Sequence, residues 1–169
     1  GALDEQFGTF LKPADVVLSP NGVELERFAD LPDPKAARRL LGLNEAQTVA
    51  CTGHLYAGRG VELFLKVAAR MSDVQFLWAG GKPEDVEKWR AAAKDLPNVN
   101  FAAFVPNQQL PLYQAAAYIL LMRYSQIIAI SSGTGNSAKI SSPLKMFEYL
   151  ATGRAILSSD LPVFREVLN

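Results

Sequence analysis

Short apolar runs alternate along the chain with segments in which apolar residues recur every three or four positions. Such runs are typical of buried strands, and the recurring pattern is typical of amphipathic helices. Strands are predicted at residues 48–55, 74–79, 99–105, 118–122 and 155–159. Helices are predicted at residues 61–71, from 83, at 108–116, at 143–152 and from 162. This alternation indicates right-handed βαβ units, so the expected fold is a Rossmann-like, doubly wound parallel sheet of the α/β class.

The first part of the chain has a weaker pattern. Residues 16–18 predict a short strand ahead of a Pro-Asn-Gly turn, and residues 34–41 predict a short helix that ends at Gly42. We therefore divide the chain into a linker or N-terminal extension at 1–30 and a Rossmann-like domain at 31–169. The pattern stops with a helix just begun, so we expect a piece of a longer protein that is truncated at its C-terminal end.

Composition narrows the classes of function. Hydrophobic residues make up 49% and charged residues 20% of 169 residues, which is typical of a globular domain. Seventeen basic residues balance seventeen acidic ones, so no broad surface for nucleic acid or anionic lipid is expected. The sole cysteine and the sole histidine, Cys51 and His54, exclude an intramolecular disulfide and a zinc cage of these residues. No signal peptide or apolar run of membrane-spanning length is found, and we expect a cytoplasmic protein.

Ligands of doubly wound sheets bind beyond the carboxyl ends of the strands, so the turns after each strand are the candidate sites. The first turn holds Gly53, Gly58 and Gly60 and leads into a helix, with Arg59 at the mouth of that helix. Glycines admit a ligand close to the main chain, and a helix start attracts anions. The spacing matches neither the dinucleotide fingerprint nor a P-loop. A plain connecting loop with a surface arginine stays open as the alternative.

The second candidate is the start of the helix at 143–152. Ser142 is a candidate N-cap, Pro143 a candidate first residue, and Lys145 lies in the first turn, where a cation is unfavourable unless an anion binds. Glu148 lies one turn further and could accept two hydrogen bonds from a sugar diol, or it could be an ordinary exposed residue. His54 could be a ligand or a catalytic residue, although a lone histidine near the end of a strand is more commonly a packed or capping side chain. Residues 133–136 predict either a lid over a ligand or a surface loop.

These motifs together resemble a known family. Residues 142–168 read SPLKMFEYLATGRAILSSDLPVFREVL and closely resemble the nucleotide-binding half of retaining glycosyltransferases of the GT-B fold, most of all glycosyltransferase family 4. Residues 19–23 with Phe28 are similar to the family's PNGV linker. Residues 53–60 are similar to its GRLxxxKG motif, and residues 117–122 match ADIxLLP loosely. The chain is thus identified as one GT-B half-domain, with the N-terminal acceptor domain absent.

The resemblance implies roles for single residues. Glu148 matches the glutamate that binds the ribose, and Arg59 matches the lysine that binds the diphosphate. His54 falls where the family has an arginine, which is a departure. The resemblance further implies that mainly main-chain groups bind the donor. The phosphates are expected near Gly53, Ser142, Pro143 and Leu144. The base is expected near Phe104 and Val105. Ile140 stands where many members have an acid, so the sugar is not identified.

The implied chemistry is transfer of a glycosyl group with retention at the anomeric carbon. Arg59, Lys145 and His54 are the expected catalytic residues, since they could stabilise the leaving nucleoside diphosphate. The resemblance implies a sugar nucleotide as substrate, and neither a metal nor another cofactor. It also implies a glycan or lipid-linked acceptor, bound by the absent domain, and possible peripheral membrane association in polysaccharide biosynthesis. The fragment alone is expected to be inactive. A nucleotide-sugar epimerase of the same fold and a non-catalytic α/β interaction module are the alternatives.

Overall fold

A computed structural model describes residues 17, 19, 21–55, 59–123, 144–165, 167 and 168. A 3-10 helix at Leu25–Phe28 comes first. The helices that follow are α1 Pro34–Leu40, α2 Val61–Ala68, α3 Pro83–Ala92, α4 Leu110–Ala115, α5 Leu144–Ala151 and α6 Pro162–Arg165. The strands are β1 Thr48–Thr52, β2 Gln75–Ala79, β3 Val99–Ala102, β4 Ile119–Met122 and β5 Ala155–Ser158.

The five strands form one parallel sheet in the order β3-β2-β1-β4-β5. The chain therefore adds strands in one direction from β1 to β3 and then returns to the other side of β1 to place β4. This reversal makes the gap between the carboxyl ends of β1 and β4 the topological switch point, which is where doubly wound sheets bind ligands. The predicted Rossmann-like, doubly wound fold is confirmed.

Two apolar clusters cover the two faces of the sheet. On one face Phe64 of α2 packs edge-on against Phe76 and Trp78, with ring centroids 5.3 and 5.2 Å apart. On the other face the fully buried Met146 and Tyr149 of α5 pack in the cluster that contains Leu77 and Leu120, among others. Neighbouring residues of β2 thus point to opposite faces, as the period of a strand requires. Trp78, predicted to be core, is 2% exposed.

Several strands and helices end earlier in the structure than the sequence predicts. The predicted strands 48–55 and 99–105 end earlier, at Thr52 and Ala102, and the predicted helix 61–71 ends at Ala68. Leu55 and Val105 are nevertheless buried, although they lie in the turns that follow the strands. Their apolar character therefore made the strands look longer than they are.

The region ahead of β1 also differs from its prediction. Of the predicted strand at 16–18, Val17 is described, and it is outside any strand and 88% exposed. The helix predicted at 34–41 is α1, and the Asp33 side chain caps it by accepting hydrogen bonds from the main-chain N–H groups of Lys35 and Ala36. The 3-10 helix was not predicted, since four residues carry no detectable period.

Candidate functional site

The turn after β1 is fixed from two directions. Gly53 has a φ of 121°, which favours glycine, and its N–H donates to the Ala79 carbonyl at 2.8 Å. Its own carbonyl accepts a hydrogen bond from the indole Nε1 of the buried Trp78 at 2.9 Å. The main chain of this turn is therefore held in place by the core beneath it, next to the carboxyl end of β2.

Two further glycines follow β2 and face this turn. A Cβ on Gly80 would lie 3.0 Å from the Gly53 carbonyl oxygen, and a Cβ on Gly81 would lie 2.7 Å from Cδ1 of Leu55. Both positions have a positive φ, 113° and 116°. The chain therefore needs glycine at both positions so that the turns after β1 and β2 can approach each other.

A cleft of ≈ 220 Å³ opens where the first three strands end. Its lining is mostly apolar side chains and glycine main chain: Gly53, His54, Ala79, Gly80, Gly81, Phe104, Val105, Asn107 and Leu110. We call this set the cleft side of the site. The structure thus brings the predicted residues Phe104 and Val105 together with Gly53 and His54. Phe104 is 71% exposed, so a flat aromatic ring is presented at the cleft with little covering it.

Basic side chains gather at the switch point beside the cleft. A Cβ on Gly53 would lie 2.7 Å from Nζ of Lys145, so this ammonium group lies directly on the first turn. A Cβ on Gly60, which precedes α2 with a φ of 81°, would lie 2.7 Å from Nη1 of Arg123. Arg123 follows β4, and Lys145 belongs to the first turn of α5. The two glycines therefore leave room for two cations from different elements.

Arg59 belongs to the same group of charges. Burial raises the pKa of the Cys51 thiol, while the charges of Lys145 and Arg59 act in the opposite direction on the same thiol. Both cations are therefore close enough to the end of β1 to act on one atom there. We call Arg59, Arg123 and Lys145 the charged side of the site. The effect of both cations on one thiol supports the expected convergence of Arg59 with the amino-terminal part of α5, which stays a prediction.

A buried hydrogen bond holds α5 against β1. The Tyr149 hydroxyl accepts a hydrogen bond from the Thr52 N–H at 2.8 Å, and it lies 3.2 Å from Oγ1 of Thr52. Both residues are almost fully buried, at 0% and 2% exposed. Because Lys145 lies one helical turn before Tyr149, this bond sets where the ammonium group meets the first turn.

Glu148 lies on α5 with its side chain 18% exposed. Its Oε1 is 3.5 Å from Nη1 of Arg27, and its Oε2 is 3.4 Å from Nε2 of Gln114. The carboxylate is thus mostly buried and has a polar neighbour at each oxygen. It is not the ordinary exposed helix residue that the sequence left open.

Some predicted site residues fall outside the described part of the chain: Ser142, Pro143, Ile140 and residues 133–136. Leu144 is described as the first residue of α5 and is 57% exposed. The catalytic and binding roles assigned to the predicted residues stay predictions.

Sequence reasoning missed Arg123, Arg27, Asn107 and Gln114. Arg123 carried one usable signal, since it directly follows the strand beside the switch point. Arg27 and Gln114 carried none, because they lie far from Glu148 along the chain.

Within the described residues, no group of three or more His, Cys, Asp or Glu side chains is placed to hold a metal ion. Among the helices of the same residues, none is long and apolar enough to cross a membrane.

The profile of the family Glycosyl transferases group 1 matches residues 46–169, which is most of the chain. The chain belongs to this family. The resemblance predicted from the four motifs is thereby confirmed, and the match covers both sides of the site from β1 to the last residue.

The curated relatives are distant in sequence and longer than this chain. The chain is 24% identical over 164 residues to alpha-galactosylglucosyldiacylglycerol synthase of Streptococcus pneumoniae, covering 91% of this chain and 40% of that protein. It is 30% identical over 111 residues to a GDP-mannose-dependent alpha-(1-6)-phosphatidylinositol monomannoside mannosyltransferase of Mycolicibacterium smegmatis, covering 61% and 29%. The chain therefore spans less than half of the length of either relative.

Solved structures agree on the fold. Anabaena Alr3699/HepE, crystallised in complex with UDP-glucose, superposes with a TM-score of 0.70 at 14% identity, covering 96% of this chain and 43% of that one. A glycosyltransferase from Rickettsia africae gives a TM-score of 0.71 at 11% identity, covering 98% and 44%. The expectation of one GT-B half-domain is confirmed at the level of the fold.

Proposed function

We propose that this chain is the donor-binding half of a retaining glycosyltransferase, which moves a sugar from a nucleoside-diphosphate sugar to an acceptor. One observation carries the proposal. The Gly53 turn, the Lys145 ammonium group and the Arg123 guanidinium group over Gly60 meet at the switch point, beside a mostly apolar cleft. This arrangement suits a ligand with a flat ring at one end and two phosphates at the other.

The charged side is assigned to the diphosphate. When the bond between the anomeric carbon and the phosphate oxygen breaks, its electron pair stays on that oxygen, and negative charge develops on the leaving group. Arg59, Arg123 and Lys145 are assigned to stabilise this charge, aided by the N–H groups and dipole at the start of α2. Each charge-assisted hydrogen bond contributes about 1.5–3 kcal/mol, so these cations suffice for binding without a metal.

The base and ribose are assigned to the other groups. The cleft side takes the base, with Phe104 and Val105 at its edge and His54 at its mouth. Glu148 takes the ribose diol, because a carboxylate has lone pairs for two hydroxyl donors. The solved relative that holds UDP-glucose has the same fold, which supports a sugar nucleotide as ligand.

A glycan or lipid-linked glycan is proposed as acceptor, bound by a domain outside this chain. The names of the two curated relatives, a diacylglycerol glycolipid synthase and a phosphatidylinositol mannoside mannosyltransferase, support a lipid-linked acceptor. On this proposal the whole protein works in the cytoplasm, at the inner face of the membrane, in synthesis of surface glycans. The chain by itself binds donor and transfers nothing.

Calorimetric titration of the chain with UDP, GDP and ADP tests the proposal. We expect one of the three to bind, and Arg59→Ala or Glu148→Ala to weaken that binding about tenfold. Lys66→Met, which removes an exposed cation from α2, is the matched control and should leave the affinity unchanged. Absence of binding by all three nucleotides would count against the proposal.

A further inference from the structure

Arg27 lies on the 3-10 helix ahead of the domain core, yet its guanidinium group reaches the candidate site. Its Nη1 is 3.5 Å from Oε1 of Glu148. Its Nη2 donates to the main-chain carbonyl of Asn107 and lies 3.1 Å from the Asn107 side-chain oxygen. The Arg27 and Glu148 side chains are 20% and 18% exposed, so this ion pair is partly shielded from water, whereas the contacts with Asn107 lie at the exposed edge of the site.

The two partners of Arg27 belong to two parts of the proposed donor site. Asn107 lines the cleft assigned to the base, and Glu148 is the carboxylate assigned to the ribose. One planar, permanently charged group therefore joins the turn after β3 to the helix α5. A guanidinium group suits this task, because its fork of N–H donors can serve two acceptors at fixed angles.

Gln114 holds the other oxygen of the same carboxylate. Gln114 is 0% exposed, and its Nε2 lies 3.4 Å from Oε2 of Glu148. Its Oε1 is buried and has no hydrogen-bond partner in the part of the chain that the structure describes. The unsatisfied amide oxygen costs free energy, while the amide nitrogen donates to one oxygen of the carboxylate and so favours one orientation of it. The Glu148 carboxylate thus contacts Arg27 through one oxygen and Gln114 through the other, and it keeps lone pairs that can accept hydrogen bonds from the ribose diol.

We propose that Arg27 is a positioning residue of the donor site, which orients Glu148 for the ribose hydroxyls and ties that carboxylate to the cleft edge at Asn107. The inference rests on the proposed function. Arg27 itself touches protein groups, and its effect on the nucleotide passes through Glu148.

A double-mutant cycle on nucleotide affinity tests this. The ligand is whichever of UDP, GDP and ADP the unaltered chain binds, and the variants are Arg27→Met, Glu148→Gln and the pair together. We expect Arg27→Met to weaken binding about fivefold, as for a partly shielded ion pair. In the Glu148→Gln background the same change should have little effect, because the residue through which it acts has lost its charge.

Two further measurements separate positioning from general stability. The loss caused by Arg27→Met should shrink for the 2′-deoxy form of the same nucleotide, which lacks one of the ribose donors. Arg27→Lys, which keeps the charge but not the fork, should recover part of the affinity. Arg39→Met, which breaks the exposed ion pair with Glu45, is the control and should leave the affinity unchanged.

Several outcomes would overturn the inference. One is an Arg27→Met loss that persists in full in the Glu148→Gln background, and another is an equal loss for ribo and 2′-deoxy nucleotides. Tighter binding by Arg27→Met would also overturn it, since the ion pair would then compete with the ribose. If the unaltered chain binds no nucleotide, the proposed function itself fails. If Glu148→Gln weakens binding and Arg27→Met does not, only the role of Arg27 fails.

Discussion

At Gly80 of the cleft side glycine lies against main-chain atoms, whereas Gly53, where the cleft side meets the charged side, lies against the tip of a long side chain. A Cβ on Gly80 would meet the Gly53 carbonyl oxygen at 3.0 Å and its carbonyl carbon at 3.2 Å. A Cβ on Gly53 would instead meet the end of the Lys145 side chain, and a Cβ on Gly60 would meet both Nη1 of Arg123 at 2.7 Å and the Arg123 carbonyl oxygen at 3.1 Å. Main chain in a packed turn cannot move away, but a lysine or arginine tip can rotate.

This difference teaches which part of the site has a fixed shape. The turns after β1 and β2 are set by the sheet and by the indole hydrogen bond of Trp78, so the cleft is formed before any ligand arrives. The cations can adjust their positions when an anion arrives, at the cost of side-chain entropy. Selection by shape therefore belongs to the cleft side, and attraction by charge belongs to the other.

The largest effect on stability is expected for Gly80→Ala, on the cleft side of the site. The new methyl group combines an unfavourable φ of 113° with contact against the main chain of Gly53. We expect the free energy of unfolding to fall by about 3 kcal/mol, measured by urea denaturation. Gly22→Ala, where nothing lies within 4 Å of the new carbon, is the matched control and should be close to neutral. Equal stability of both variants would show that the turns are not tightly apposed.

Tyr149→Phe tests the link between the two sides. The change removes the hydroxyl acceptor of the buried Thr52 N–H and leaves that donor unsatisfied. The expected loss is about 2 kcal/mol of unfolding free energy. Tyr118→Phe, at a tyrosine that is 46% exposed, should change the same quantity by less than about 0.5 kcal/mol. A harmless Tyr149→Phe would mean that α5 is held by apolar packing alone.

Replacing single cations by methionine tests the charged side of the site. Lys145→Met and Arg123→Met should each weaken binding of the preferred nucleoside diphosphate about tenfold, while the free energy of unfolding changes little. The loss should decrease as salt concentration rises, because the interaction is electrostatic. Calorimetry at two ionic strengths measures both effects. A salt-independent loss, or a loss of stability as large as that of Tyr149→Phe, would assign these residues to packing.

The smallest expected effect is a pH dependence from groups outside both sides. The main-chain N–H of Ala36 lowers the pKa of Asp33, while hydrogen bonds from Arg39 and Arg165 lower the pKa values of Glu45 and Asp160. These carboxyls stabilise the fold above their ordinary pKa values of 3.8 and 4.5. The stabilisation is lost as the pH falls through the lowered values.

The melting temperature, measured by thermal unfolding between pH 6 and pH 3, tests this dependence. Asp33→Asn keeps a capping side chain but cannot titrate, so the fall in melting temperature with acid should become shallower. If the melting temperature of this variant fell with acid as steeply as that of the unaltered chain, Asp33 would not contribute to the pH dependence.

The strands and helices were predictable because their signals are local. Strands inside a parallel sheet are covered on both faces, and β2, which is buried at every position, therefore reads as a nearly continuous apolar run. The ends were less predictable, since Leu55 and Val105 are apolar and buried although they lie beyond the ends of β1 and β3.

The candidate site was predictable in part. Gly53, Arg59, Lys145 and Glu148 stand at strand exits or in the first turns of helices, which sequence alone can locate. The contacts of Arg27 and Gln114 with Glu148 could not be predicted. These residues are 121 and 34 positions away from Glu148 along the chain, and they meet it only in the folded structure. Local pattern carries no information about such pairs.

The hydrogen bond from the Trp78 indole to the Gly53 carbonyl gives the molecule a built-in optical reporter. Any ligand that settles on the Gly53 turn changes the polarity around that carbonyl and hence the emission of the indole bonded to it. The other tryptophan, Trp89, is on α3, and replacing it by phenylalanine would leave a single fluorophore, hydrogen-bonded to a turn that lines the cleft. Occupancy of the cleft can then be followed in real time without a label.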